Sequence, residues 1–248
     1  IERFLGRLVI GAESSRCWRW APACSRAMKS FWLGVLLGAG ISLSSDAAES
    51  IERLVNEPGA LPGKIAFGSC AKENKPQPIL RTVVSEEPDL FIYLGDNIYG
   101  DTRDMEVLRR KYRMLGAKPE FQALRAAMPT LAVWDDHDYG ENDAGKEYPM
   151  KAASREEFFD FWRVPVDSPR RAGEGIYGVH EYRHGDRVLQ VILLDTRTFR
   201  DPLAANPNPL PEGSPWKHDY HPIDDPERSI LGAAQWAWLE SALRRPDR

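Results

Sequence analysis

The chain has 248 residues, of which 42% are hydrophobic and 28% are charged, a composition typical of a globular protein with one sizeable core. Lysine and arginine number 33 against 37 acidic residues, so the net charge is −4. Because acids and bases are interspersed, there is no basic stripe of the kind that binds nucleic acid, and no stable nucleic-acid complex is expected.

Residues 28–48 have the three parts of a secretory signal peptide in the expected order. Met28 and Lys29 begin the segment, an apolar run follows from Phe31 to Leu43, and small residues precede a cleavage site. The run is too short to span a membrane, which takes about 20 apolar residues. We therefore expect a periplasmic or secreted protein, with a buried N-terminal helix as the alternative. Residues 1–27 have no recognisable pattern.

The expected cleavage determines which cysteines the mature chain keeps. Cleavage near Ala47 or Ala48 would remove Cys17 and Cys24, so that Cys70 would be the only cysteine of the mature chain. A single thiol in an oxidising compartment needs burial or a ligand. Taken alone, Cys70 is consistent with a thiolate metal ligand, a nucleophile or a small buried side chain.

Three short apolar runs each end in polar residues. They are residues 64–69, 90–94 and 131–134. Near-continuous apolar runs of this length predict strands that are buried on both faces. The first run stops at Cys70, the second at Gly95-Asp96-Asn97 and the third at Asp135-Asp136-His137-Asp138.

Helical patterns separate these predicted strands. Apolar residues recur every three or four positions in residues 105–115 and 121–128, and more weakly in 76–85. Strands that alternate with helices predict an α/β fold, in which sites lie beyond the carboxyl ends of the strands. The three polar clusters are therefore expected to converge.

The second half of the chain has four further patterns. Ser154 and Glu157 predict a capping box at the start of a helix, and residues 176–195 predict a hairpin. Residues 201–226 are rich in proline, asparagine and aspartate and predict a long loop. Three spaced apolar residues predict a last amphipathic helix: Trp236, Leu239 and Leu243.

The residues after the second strand suit metal binding. Asp96 leaves the strand through a glycine turn, where a carboxylate can bridge two cations, and Tyr99 follows three residues later. A phenolate is a hard anionic ligand that suits a ferric-type ion. The alternative is an ordinary turn with a solvated Asp96 and a packed Tyr99.

The cluster Asp135–Asp138 is the densest group of acids. Three carboxylates around His137 repel one another unless cations or hydrogen bonds compensate, and Asn142 and Asp143 add oxygen atoms a turn later. An exposed acidic loop is the alternative, although Trp134 ties the cluster to a buried strand. A thiolate, a phenolate, carboxylates and an imidazole together suit a mixed site, with an iron-type ion beside calcium, magnesium or manganese.

These motifs, in this order, resemble those of the alkaline phosphatase D family, also called PhoD-like phosphatases, within the calcineurin-like metallophosphoesterases. The matching segments are Phe67–Cys70, Leu94–Tyr99, Trp134–Asp138 with Asn142, Leu194–Arg197 and Gln235–Leu239. The resemblance implies an α/β fold, an αββα sandwich with mixed sheets flanked by helices, of which this chain has a part. It also implies a two-metal phosphoester hydrolase, either a phosphomonoesterase or a phosphodiesterase.

The resemblance also implies a set of metal ligands. Cys70 and Tyr99 would bind iron, and Asp96 would bridge iron and a divalent ion. Asp136 would bind the divalent ion, with Asn142 as an alternative ligand. The implied reaction is in-line attack on the phosphorus of a phosphate ester by a metal-bound hydroxide.

Catalytic roles are implied for two further residues. His137 would stabilise charge in the transition state or protonate the leaving oxygen. Arg197 would clamp a phosphate oxygen, a surface salt bridge being the alternative. His218 and His221, which flank Tyr220 in the long loop, are expected in solvent, with a lid as the alternative.

Two departures from the family pattern affect these expectations. Family members continue past the last predicted helix to a late Asp/His motif that nothing here matches, so a C-terminally truncated domain is expected at residues 49–248. The predicted signal peptide lacks a twin-arginine pattern, which favours a Sec-type route. Two alternatives stay open: a catalytically incomplete fragment or binding remnant, and a cysteine-nucleophile hydrolase that uses Cys70 and His137.

Overall fold

Two β-sheets and six α-helices make up the described part of this computed structural model, residues 5–9, 61–208 and 220–244. The strands are β1 (Leu5–Val9), β2 (Lys64–Gly68), β3 (Leu90–Leu94), β4 (Thr130–Val133), β5 (Gly178–His184) and β6 (Arg187–Leu193). The helices are α1 (Ile79–Ser85), α2 (Met105–Gly116), α3 (Pro119–Ala127), α4 (Asp136–Tyr139), α5 (Lys151–Trp162) and α6 (Gly232–Leu243). The predicted signal peptide at 28–48 and His218 lie outside the described residues.

The first sheet confirms the three predicted strands. Its order is β1-β2-β3-β4, with β2, β3 and β4 parallel and β1 antiparallel to β2. Helix α1 connects β2 to β3, and α2 with α3 connects β3 to β4. Because parallel strands end at the same edge, the polar clusters that follow them lie side by side. Strand β1 belongs to the segment 1–27, for which the sequence made no prediction.

Aromatic packing fixes the core behind this edge. All four residues of β4 are buried, and the ring of Tyr93 lies 5.0 Å from that of Trp162 and 5.8 Å from that of Phe121. Trp134 contacts Phe158 at a centroid distance of 5.3 Å. Rings at these distances and tilts contribute beyond the area that they bury, so the strand ends rest on a closely packed base.

The predicted capping box at Ser154 is wrong. Helix α5 begins a turn earlier, at Lys151, and Ser154 is a fully buried residue within it. Its hydroxyl donates to the carbonyl of Tyr139 at 2.5 Å, and Glu157 instead pairs with Arg109 of α2. Lysine and alanine at 151–153 are good helix formers, so the helix extends in front of a serine whose partner lies on another element.

The second described sheet is the predicted hairpin, formed by β5 and β6 with a turn at Gly185-Asp186. Helix α6 also forms as predicted, but its buried face was predicted wrongly. Trp236 and Leu243 are 55% and 58% exposed, whereas Gln235 is fully buried. The Gln235 side chain exchanges two hydrogen bonds with the backbone of Asp195, at 2.8 and 2.7 Å. This paired amide, rather than the tryptophan, fixes which face of α6 lies inward.

Across the described ranges, no helix is both long enough and apolar enough to cross a membrane.

Candidate metal centre

The loops after β2 and β3 are held together by backbone hydrogen bonds. Cys70 donates its N–H to the carbonyl of Gly95 at 3.3 Å, and Ala71 donates to that of Asp96 at 3.0 Å. Cys70 and Asp96 both have positive φ angles, 60° and 51°, a conformation that costs free energy in residues with a β-carbon. Gly95 itself has φ 98°, and a β-carbon there would come within 2.5 Å of the Asp135 nitrogen.

Asp96 has a carboxylate oxygen with no partner. The side chain is 8% exposed, its Oδ2 accepts a bond from the Cys70 thiol at 3.5 Å, and its Oδ1 is buried without a hydrogen bond. Among the buried unpaired atoms of the described residues, this is the one carboxylate oxygen. Burial raises the pKa of Asp96, and the negative charge of Asp136 raises it further. A bound cation would reverse both effects.

Three neighbouring side chains offer ligand atoms that a metal ion could share. Asp96, Asp136 and His137 each offer one, and all three atoms lie within 4.8 Å of one another. Oxygen and nitrogen ligands at this spacing suit a divalent or trivalent cation. The residues present therefore fit a metal ion.

Asp136 is held in its ionised form by its neighbours. Burial acts to raise its pKa, but the N–H of Asp143, which donates to Asp136 Oδ2 at 2.7 Å, and the charge of Arg197 together lower it. Asp96 and Asp136 thus have pKa shifts in opposite directions, and Asp136 provides a permanent negative charge beside Asp96.

Asp138 belongs to the scaffold and not to the ligand group. It is fully buried and accepts N–H bonds from Asp135 at 2.7 Å, Asp96 at 3.1 Å and Asn97 at 3.1 Å, and a fourth from the Asn97 side chain at 2.6 Å. Burial raises the pKa of Asp138, while these donors oppose the rise. The expected repulsion among three acids is therefore relieved by hydrogen bonds as well as by separation.

His137 has a carboxylate partner that the sequence did not reveal. Its Nδ1 lies 2.7 Å from Asp101 Oδ1, and its ring stacks on that of Tyr99 at a centroid distance of 4.1 Å. The carbonyl of His137 accepts the N–H of Gly100 at 2.9 Å. Asp101 could have been suspected only as a second carboxylate in the loop that contains Asp96.

Tyr99 lies between His137 and the loop after β2. Its N–H donates to the buried carboxylate of Glu73 at 2.9 Å, and the ammonium of Lys72 lies 4.5 Å above its ring. Burial raises the pKa of the Tyr99 phenol, and the charge of Asp96 raises it further. The phenol therefore stays protonated in the absence of a cation. Glu73 and Lys72 were not predicted.

The remaining predicted residues lie on the far side of Asp136. The Nε and Nη2 atoms of Arg197 lie 2.6 and 2.5 Å from Asp135 Oδ1, and Nη2 lies 3.8 Å from Asp136 Oδ1. Asn142 is exposed and donates to Asp143 Oδ2 at 2.7 Å. The structure thus brings Arg197 to the centre, whereas the amide of Asn142 is bonded to its neighbour.

A family model described as PhoD-like phosphatase matches residues 65–248. The chain belongs to the PhoD-like phosphatase family. The matched region begins in β2 and includes the whole of the candidate metal centre.

Two known proteins have similar sequences. This PhoD-like chain is 24% identical over 210 residues to alkaline phosphatase D of Bacillus subtilis (strain 168), an alignment that covers 72% of this chain and 34% of that protein. It is 33% identical over 85 residues to probable inactive purple acid phosphatase 14 of Arabidopsis thaliana, covering 34% and 20% of the two chains.

A solved structure of PhoD has the same fold. The TM-score is 0.55 at 23% identity, with 75% of this chain and 40% of the PhoD chain covered. The expected α/β architecture, with parallel and antiparallel sheets flanked by helices, is therefore confirmed. The chain spans about a third of the Bacillus relative and two fifths of the PhoD structure.

Proposed function

We propose that this chain provides the metal-binding part of a phosphoester hydrolase, a phosphomonoesterase or phosphodiesterase. The family supports the reaction class. The single observation that supports metal dependence is the buried carboxylate of Asp96. Its Oδ1 has no hydrogen-bond partner among the described residues, and the same carboxylate offers a ligand atom close to those of Asp136 and His137. Leaving a buried carboxylate oxygen unpaired costs about 1–3 kcal/mol, and a cation would remove that cost.

Two ions would be held by residues of the three loops. Asp96 would bridge them, Cys70 and Tyr99 would bind an iron-type ion, and Asp136 would bind calcium, magnesium or manganese. Asn142 would need to leave its bond to Asp143 to serve as the alternative ligand. Bound ions would supply an activated water and neutralise charge on the phosphoryl group.

His137 is proposed to act on the leaving oxygen. The Asp101 carboxylate lies 2.7 Å from Nδ1 and orients the ring, which leaves Nε2 for the proposed proton transfer to the leaving oxygen. Arg197 is proposed to contact the phosphate through guanidinium N–H groups not engaged by Asp135, since arginine has five donors. Its pairing with Asp135 fixes the position of the guanidinium in advance.

The cysteine-nucleophile alternative is disfavoured by the surroundings of Cys70. Burial raises the pKa of its thiol, although Ser69 opposes the rise, and a nucleophilic thiolate requires a lowered pKa. Within the described residues, its side-chain hydrogen bonds go to Ser69, Asp96 and Tyr99 rather than to His137.

Export to the periplasm or medium is part of the proposal. It rests on the residue order of 28–48. Cleavage near Ala48 would also remove β1, which pairs with β2, and the edge of β2 would then need another partner or solvent. Mass spectrometry of the N-terminus from a native host tests this, and a chain that retains residues 28–48 would contradict it.

Mn²⁺ titration calorimetry tests the metal centre. Asp96→Asn removes the proposed bridging charge and is expected to weaken Mn²⁺ binding by at least about tenfold. Asp167→Asn, at an exposed position away from the centre, is the matched control and should bind as the unmodified chain does. Equal Mn²⁺ affinity in both variants would contradict the metal assignment. Hydrolysis of 4-nitrophenyl phosphate and its bis ester, with and without chelator, is measured in parallel.

A further inference from the structure

The backbone N–H, the backbone carbonyl and the carboxylate of Asp143 all form hydrogen bonds. Its N–H donates to Asp136 Oδ2 at 2.7 Å, and its carbonyl accepts a bond from the buried guanidinium of Arg200. Its carboxylate Oδ2 accepts bonds from Asn142 at 2.7 Å and from the hydroxyl of Tyr220 at 2.8 Å. The backbone is held at φ 58°, a left-handed conformation that persists only where the surroundings fix it.

Tyr220 comes from the long loop, 77 residues further along the chain. An isolated antiparallel bridge pairs it with Ala205, and His221 donates its N–H to the carbonyl of Ala204 at 3.1 Å. The Nδ1 of His221 lies 3.1 Å from the Ala205 carbonyl. These bonds fix the base of the loop, so the Tyr220 hydroxyl is presented to Asp143 from a constrained backbone.

The two sets of contacts form one path. The hydroxyl of Tyr220 donates to the carboxylate of Asp143, and the backbone N–H of Asp143 donates to the carboxylate of Asp136. We propose that Tyr220 is a positioning residue for the metal centre, which acts through Asp143 to hold Asp136 in the orientation that binds a cation. The inference rests on the proposed function, because it assigns Asp136 to a metal ion.

The physical reason is the left-handed turn at Asp143. Without the bond from Tyr220, the side chain of Asp143 loses one of its two donors, and the turn can relax toward an ordinary conformation. The N–H that points at Asp136 would move with it. Loss of such an outer partner typically weakens metal binding by about 10–100-fold.

Tyr220→Phe removes one hydroxyl and is the direct test. In the full chain, its Mn²⁺ affinity measured by calorimetry is expected to fall by about tenfold, with an unchanged thermal midpoint. Tyr182→Phe is the matched control, because Tyr182 has a buried hydroxyl in the second sheet with no hydrogen bond. It should leave Mn²⁺ affinity unchanged.

A double-mutant cycle identifies the route. Asp143→Gly keeps the left-handed backbone accessible and removes the acceptor of the Tyr220 bond. In that background, adding Tyr220→Phe should change Mn²⁺ affinity by less than about twofold, because the two residues act in series.

The outcomes separate this inference from the proposed function. If the unmodified chain binds Mn²⁺ and Tyr220→Phe binds equally well, the role of Tyr220 is refuted and the metal centre stands. A full loss that persists in the Asp143→Gly background also refutes it, since Tyr220 would act by another route. An unmodified chain that does not bind Mn²⁺ refutes both.

Discussion

Asp96 and Asp195 stand at equivalent points of the fold but have opposite surroundings. Each lies two residues after a strand, β3 and β6 respectively, and each is almost inaccessible, at 8% and 0% exposure. Among the described residues, Asp96 Oδ1 has no hydrogen-bond partner. Asp195, by contrast, accepts five hydrogen bonds: Oδ1 from Trp134 and the N–H groups of Arg197 and Thr198, and Oδ2 from Ile176 and the Thr198 hydroxyl.

Hydrogen-bond partners distinguish a structural carboxylate from a candidate metal ligand. Burial and position after a strand are the same in both cases, so neither property decides. Hydrogen-bond satisfaction does decide, because burying a charge is costly unless hydrogen-bond donors surround it. Asp138 accepts four N–H hydrogen bonds and is therefore a structural carboxylate like Asp195.

The largest effect is expected at Asp195. Asp195→Ala leaves the indole of Trp134 and several backbone N–H groups without an acceptor, and should lower the free energy of unfolding by about 3–5 kcal/mol. Urea denaturation measures this, with Asp167→Ala at an exposed position as the control, expected within about 0.5 kcal/mol of the unmodified chain. A small effect at Asp195 would remove the basis of the comparison.

The strands and most helices of the metal-binding half were predictable from sequence, because their apolar runs and helical spacings are local. The convergence of Cys70, Asp96 and Asp136 was also predictable, since parallel strands end at one edge. A local sequence pattern does not predict a side chain's position where that position depends on a partner far away in the chain. Ser154 looked like a cap but bonds to Tyr139, and the amide of Gln235 takes the inward position on α6.

Within the candidate site, only the proposed metal ligands were predictable from sequence. Asp101, Glu73 and Tyr220 act through contacts that join separate loops, and nothing in their sequence neighbourhoods specifies those partners. The structural role of Asp138 was missed for the same reason, because in the sequence it is one of three similar acids. Its role depends on N–H groups about 40 residues away in the chain.

His180 tests whether an unpaired buried atom by itself marks a ligand site. Its Nε2, on β5, is buried and has no hydrogen-bond partner in the described part of the chain. Burial, aided by the charge of Arg170, lowers its pKa to about 3. Because the unfolded chain takes up a proton near pH 6.5, stability should be complete above about that pH. It should fall by about 1.4 kcal/mol per pH unit as the pH drops from there toward about 3.

The measurement is urea denaturation at about pH 7 and about pH 5. His180→Gln should lose less stability over this interval than the unmodified chain, by about 2 kcal/mol. His184→Gln, on the exposed end of the same strand, should behave as the unmodified chain does. Equal pH slopes for the two variants would show that His180 is not held neutral. If His180→Gln leaves Mn²⁺ binding unchanged, His180 has a structural role only. A candidate metal ligand such as Asp96 would then be recognised by its negative charge as well as by its unpaired atom.

The smallest effect is expected at Asp96 itself, and its sign is opposite to that at Asp195. Because burial and Asp136 raise the pKa of Asp96, its neutral form is favoured in the folded state. The ionised form therefore costs stability at neutral pH when no cation is bound. Asp96→Asn should stabilise the metal-free chain by about 1 kcal/mol at pH near 7, an advantage that disappears as the pH falls below the ordinary range of a carboxyl group. With saturating Mn²⁺ the order should reverse, since the ion binds the unmodified chain more tightly and therefore stabilises it more. A variant that is less stable than the unmodified chain without metal would mean that Asp96 is a structural carboxylate after all.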